Sequence, residues 1–544
     1  MRRDAKRRSA AFSGGAVVAG ALIVAAATQA LAQSRSSADG ADIRLLKHPY
    51  PYRAALTVCS DTHGVPVEQF EAVHALINLR EPIKRGSEAW QYLFGDPEID
   101  KRADWREGID GFGFPFGDTM WLYDPSIGVF AGFDERTGQP VPHAYKGRDF
   151  REIIDEWFRR GWVDSLHTPG VGHIPREATA AGLRWLQERP HRRLKVWVNH
   201  SLSTTPTCIG PDQSALRPVI NNITKCGTAV MCWVGLERLA RAIAQRPYPV
   251  SWPAEQRASC WLLSILLVGS GTWLLLSVII KRLRKRVSFI VAGLVLVGTL
   301  GVLSLMPLRR AQGDNPDSPL YHADLVRQAG FRYYWLIVPL PGQYRTLVSG
   351  TLALPERSCG GGRPSCLRVV ELDDGASCLT FGRNTKKGWI VEGSLSLLTE
   401  ENLEALCEKQ STSIIYIHWA IKPKLIFVAE VIDNLARLRR FNEAGRVWLA
   451  CTSELLHFTF VRAFLEYRAH QDQGKRVIEI VRVNDPTGEP FTPTLEDLRG
   501  ISFDCPGGEP IEVRLAGEPL GKDALDILAK EGRQIVRFPL RPMP

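Results

Sequence analysis

The stretch RAALTVCSDTH, residues 53–63, decides how this chain is read. Its first eight residues are rich in β-forming types, and the run then breaks at Asp61 and His63. Just beyond it, VEQFEAVHALINL places Val67, Phe70, Val73, Leu76 and Ile77 at the helical period. Strand, polar rim and helix make one β-α unit, and the pattern recurs. FREIIDEWFRRG (150–161) and PREATAAGLRWLQE (175–188) predict helices, the first stopped by Gly161 and the second opened by Pro175 in its first turn. LKVWVNH (194–200), FRYYWLIV (331–338), SIIYIHW (413–419) and RVWLACT (446–452) predict strands, with helices at about 400–409, 428–439 and 454–469. Alternation of this kind implies a parallel sheet covered by helices, open or closed into a barrel. From 476 the character changes to short β-rich runs between Gly and Pro turns, RVIEIVRV, IEVRLAG and QIVRFPL, which predict a small C-terminal β-sandwich over 476–544.

With 544 residues, 45% hydrophobic and 23% charged, the chain is long enough for more than one domain and is not generally disordered. The net charge of +10 is concentrated in MRRDAKRR at the start and KRLRKR at 281–286, each beside an apolar run. Such clusters mark the cytoplasmic side of a membrane span. No basic stripe with interleaved aromatics and no nucleic-acid motif is present, so nucleic acid is not an expected partner.

Residues 1–32 read as a targeting segment. GAVVAGALIVAAATQALA ends on Ala30-Leu31-Ala32, a cleavage pattern, so the segment is a signal peptide or, if retained, an N-terminal anchor. The uncharged runs 261–280 and 289–306 are each long enough to cross a bilayer and are joined by KRLRKRVS, which predicts a two-helix transmembrane hairpin over 256–310. The hairpin divides the α/β domain into 43–255 and 311–475. The expected location is the cell inner membrane, with the bulk of the chain on the periplasmic or extracytoplasmic side and the lipid bilayer as a partner. The amphipathic segment 228–245 lies at the interface or packs as a surface helix. Eleven cysteines suit an exported chain; Cys359 with Cys366 and Cys226 with Cys232 are close enough in sequence for local bridges, although spacing does not fix connectivity.

In parallel α/β sheets the chemistry gathers at the carboxyl ends of strands. Asp61 and His63 end the first strand, His167 and His173 flank the loop HTPGVGH, Asn199 and His200 end VWVNH, Trp335 ends YYW, and His418 ends IIYIH. Asp and His converging on one rim supply the oxygen and nitrogen ligands that zinc or a similar divalent metal prefers. A single histidine of this kind is ordinarily a satisfied polar group, and it is the joint pattern that points to a site.

The order of these motifs resembles that of the polysaccharide deacetylases of carbohydrate esterase family four, within the wider glycoside hydrolase/deacetylase barrel group. ALTVCSDTH stands where that family has an Asp pair, HTPGVGH where it has two metal-binding histidines, and IYIH where it has the catalytic histidine; the match covers about 43–470. The resemblance implies a distorted (β/α) barrel of the polysaccharide-deacetylase type, here interrupted by the hairpin. It implies a divalent metal, zinc above all, held by His167 and His173 with Asp61 or His63. It also implies Asp61 as base and His418 as the acid that protonates the leaving group, with Trp121, Tyr123, Asn199, His200 and Trp335 toward the sugar. The chain departs from the family in three places. The first motif lacks adjacent carboxylates, the two loop histidines stand six residues apart rather than four, and VWVNHS has no arginine. Two alternatives follow: Asp61 is the base and His63 the ligand, or Asp61 is the ligand and the base is missing. The expected function is therefore a membrane-anchored, exported, metal-dependent carbohydrate deacetylase acting on an acetylated envelope or extracellular polysaccharide. The alternative is a catalytically degenerate barrel that binds glycan or serves as an accessory subunit beside envelope protein partners.

Overall fold

The computed structural model describes residues 43–61, 66–94, 102–121, 144–167, 176–188, 194–198, 322–335, 347–348, 350–354, 356–358, 364–371, 376–385, 391–419 and 427–540. The segment that opens the reading forms β1 (Ala54–Ser60), all seven residues buried. A strand apolar on both faces belongs in the middle of a parallel sheet. It leads to α1 (Val67–Asn78), which buries Val67, Phe70, Val73, Leu76 and Ile77 as the periodicity requires. Around them lie β2 (Asp118–Met120), α2 (Phe150–Arg160), β3 (Val163–His167), α3 (Arg176–Gln187), β4 (Val196–Val198) and β5 (Tyr333–Trp335). These are followed by β6 (Leu347–Val348), β7 (Leu367–Glu371), β8 (Ser377–Phe381), β9 (Asn384–Thr385), α4 (Glu400–Glu408), β10 (Thr412–Ile417), α5 (Ala429–Glu443), β11 (Val447–Leu449) and α6 (Thr452–Phe464). Gly161 closes α2 at φ 74°, a left-handed backbone that glycine adopts without strain.

The strands hydrogen-bond in the order β6-β9-β10-β1-β2-β3-β4-β5-β8-β7, with β11 also on β1, and all pairs are parallel except β7 with β8. β8 lies near one end of this order and β9 near the other, yet only Gly382 and Arg383 separate them in sequence. The chain thus carries the sheet round on itself there. Side chains alternate across it. Ala55, Cys59 and Ile414 face a core on the concave side, while Leu56, Val58, Ile415 and Ile417 face α1 and α5 on the other.

The architecture is mixed α/β with a curled half-barrel sheet, which corrects the expected barrel interrupted by a transmembrane hairpin. Among the described residues no helix is long and apolar enough to cross a membrane. The longest, α5, has 15 residues against the roughly 20 that a bilayer requires. It carries Arg437, Arg439 and Arg440, which suits one face on a sheet and the other in solvent. Residues 1–32, 228–245 and 256–310, on which the leader, the interfacial helix and the hairpin were expected, lie outside the described residues, as do Cys226, Cys232 and Cys359.

Beyond α6 the chain forms β12 (Leu465–Asp472), β13 (Lys475–Val483), β14 (Ser502–Pro506), β15 (Ile511–Leu515), β16 (Glu518–Pro519), β17 (Asp526–Lys530) and β18 (Arg533–Arg537). They make two four-stranded sheets, β12-β13-β15-β16 and β14-β18-β17, the second completed by the strand Arg44–Leu45 on β14. The concave core of the half-barrel continues into these sheets through Phe464, Ile478, Phe503 and Val536.

Candidate functional site

Strand register sets the level of the rim. Ile417 of β10 is paired with Ser60 of β1, so the next residues, Asp61 and His418, leave the sheet side by side; the Asp61 amide donates to the Ile417 carbonyl at 3.1 Å. On the neighbouring strands His167, Val198 and Trp335 are paired in one row. Three residues far apart in sequence, Asp61, His167 and His418, therefore end around a single carboxylate, and all three are buried.

Asp61 is the centre. Its Oδ1 accepts a hydrogen bond from Arg383 Nη1 at 2.8 Å, and its Oδ2 stands 3.6 Å from His167 Nε2. Burial pushes this carboxyl up, but Arg383, His167 and His418 outweigh it, and the group lies well below the usual carboxylate range. Asp61 is an anion at any ordinary pH. His167 Nδ1 lies 3.0 Å from the Val198 carbonyl, and the imidazole ring rests against Trp121 at 4.3 Å between centroids. His418 packs edge-on against Tyr416 at 5.3 Å. Burial, then the Asp61 charge, raises the Tyr416 phenol far above its ordinary value. Cys59 is driven up to about 12 chiefly by burial, so it is a neutral thiol and no nucleophile.

Of the residues singled out from the sequence, the structure brings together Asp61, His167, His418 and Trp121, with Trp335 joined through Arg383. His63, His173, Asn199, His200 and Tyr123 lie outside the described residues. Two members of the cluster were not anticipated. Arg383 follows the strand SCLTF after one glycine, which is the same strand-end position that marked the others. Tyr416 lies within β10, where an aromatic residue reads as core. Arg383 thus reaches the Asp61 carboxylate from the end of a later strand.

Asp61 and His167 are donors of the class that zinc accepts. A metal-binding imidazole commonly donates its other N–H to a backbone carbonyl, as His167 Nδ1 can to Val198. This leaves Nε2 directed at Asp61 Oδ2, and the pair fits a divalent cation as two of its ligands. Among the described residues no group of three or more His, Cys, Asp or Glu side chains could hold a metal by itself. The further ligands suggested by the sequence, His63 and His173, are outside that set. No model of a known protein family matches the chain, and no curated protein matches it.

Proposed function

We propose that the chain is a metal-dependent hydrolase that removes acetyl groups from an acetylated envelope or extracellular polysaccharide. The observation that carries this reading is the gathering of Asp61, His167 and His418 on one strand-end rim around a carboxylate that stays ionised. A bound divalent cation, zinc above all, would supply Lewis acidity toward the acyl carbonyl. Asp61 and His167 would hold it. Arg383 keeps Asp61 anionic at the place where a cation is to be held. His418, on the adjacent strand end, would donate a proton to the leaving amine or alcohol. Because its carboxyl is held well below the usual range, Asp61 is a weak proton acceptor, and this favours the ligand role over the base role.

The same fact supports a second reading, a glycan-binding barrel without turnover, because Arg383 occupies one oxygen of the carboxylate that would otherwise act as base. One experiment separates them. Metal content is measured on the purified full chain and on His167→Ala, and acetate release is followed with acetylated oligosaccharides. The hydrolase should retain metal and release acetate, and His167→Ala should lose both while remaining folded. Retention of the glycan without acetate release from the metal-loaded chain would sink the hydrolase and leave the binding barrel.

A further inference from the structure

We propose that Trp335 and Tyr416 are positioning residues that clamp the Arg383 guanidinium between their rings and so fix it against Asp61. The Arg383 Cζ lies 3.8 Å from the centroid of each ring. The rings themselves are 6.2 Å apart and inclined by only 24°. Arg383 is completely buried, yet among the described residues its hydrogen bonds all leave from Nη1, to Asp61 Oδ1 at 2.8 Å and Cys59 Sγ at 3.5 Å. Its Nε and Nη2 are buried and have no hydrogen-bond partner among the described residues. A guanidinium ordinarily orients itself through several of its five donors. One held by a single nitrogen can pivot, and here the aromatic faces remove that freedom. They also keep water from the cation, which strengthens its pull on the carboxylate. The sequence suggests Trp335 as a surface for sugar; one face of its ring carries Arg383.

Trp335 makes no hydrogen bond to Asp61, since its Nε1 has no partner among the described residues, so its influence on that carboxylate runs through Arg383. This inference rests on the site that underlies the proposed function but on no step of the reaction. The test is a set of mutant cycles read by equilibrium unfolding of the full chain at neutral pH. Trp335→Leu is compared in the parent, in Asp61→Asn, in Arg383→Met and in the variant carrying both changes. The clamp predicts that Trp335→Leu raises the unfolding constant about tenfold more in the parent than in Asp61→Asn, where the ion pair is already gone, a coupling of the size contacts of this kind show. With Arg383→Met the two penalties should become equal, and Trp335→Phe, which keeps a ring face, should restore near-parent behaviour. Should Trp335→Leu fail to fold, Trp335→Met, which keeps more volume without a ring, takes its place. Equal penalties in the parent and in Asp61→Asn, or a difference that persists in Arg383→Met, would overturn the clamp. Neither metal nor turnover enters the measurement, so a chain without hydrolase activity would end the proposed function and leave this inference intact.

Discussion

His418 is the residue whose replacement tests the proposed chemistry most sharply. It leaves β10 directly beside Asp61, and it is buried. If it is the proton donor, His418→Asn should preserve fold and metal content while lowering turnover by about 10²–10⁴, with a smaller loss for an ester whose leaving group needs little protonation. Turnover measured beside thermal unfolding on the same samples decides the matter; full turnover in the folded variant removes His418 from the mechanism. Much of this site was legible in the sequence, and the reason is physical. A carboxylate or imidazole at the end of an apolar strand breaks the pattern that packing would select, and Asp61, His167 and His418 all do so. Arg383 breaks it too, but Gly382 ahead of it reads as a turn. Nothing in a one-dimensional pattern tells that β8 and β9 are hydrogen-bonded to opposite ends of the sheet order, which is what brings Arg383 to Asp61. Tyr416 is hidden for the opposite reason, because a tyrosine inside a strand fits the pattern.

Elements are legible where one period persists and opaque where a neighbour overrides it. The helix expected over about 454–469 stops at Phe464, and Leu465–Asp472 is instead a strand paired with Lys475–Val483. The reversal is made by Gln473 and Gly474, both at positive φ (48° and 76°), the geometry of a two-residue hairpin whose turn twists with its strands. The apolar residues of this segment suit either period, so the turn and the facing strand decide. The other end of the same helix shows help from a distance. Its N-cap residue, Cys451, gives no side-chain cap. Asp164 of β3 acts in its stead, accepting from the Ser453 amide at 2.9 Å and from the Ser453 hydroxyl. Gly117 makes room for it, since a Cβ there would come within 2.4 Å of Asp164 Cβ. Asp164→Ala should therefore destabilise the fold by about 1–2 kcal/mol, the usual value of a lost cap. The loss should appear in equilibrium unfolding, with amide exchange faster in the first turn of α6 than in its last. An unchanged unfolding midpoint would show that the helix end is satisfied in another way.

At the scale of the whole molecule, two buried histidines outside the candidate site contribute to how the fold responds to acid. His74 is wholly buried in α1, stacked on Trp162 at 5.3 Å and 13°, with Nδ1 2.6 Å from Asn78 Oδ1. Asp118 Oδ2 lies 3.8 Å from its Nε2, beyond hydrogen-bond distance, and does not offset the burial. His48, at the opposite end of the sheet from the site, has Nε2 2.9 Å from the Gln410 carbonyl. Burial lowers both to about 4, against which the Asn78 and Gln410 bonds pull only weakly. In the unfolded chain each would titrate near 6.5. Between about 6.5 and 4 the unfolded state thus binds protons that the folded state refuses, and stability falls as pH drops through this window; above it these two groups contribute their full share. Each displacement is worth about 3 kcal/mol, so the pair amounts to a large part of the roughly 5–15 kcal/mol that holds a protein folded. The depressed carboxyls of Asp61 and Asp497 act in a lower window, below about pH 4, and do not mask the effect. Unfolding free energies measured from pH 8 to pH 4.5 should hold level and then decline, with His48 and His74 each adding close to one proton to the slope near pH 5 and His457, also lowered by burial, adding to the same decline. His74→Gln should lower stability at pH 8, where a neutral, packed ring is lost, and at the same time take about one proton from that slope. A slope near pH 5 that is the same in parent and variant would mean that His74 titrates alike folded and unfolded, and that its burial does not exclude the proton.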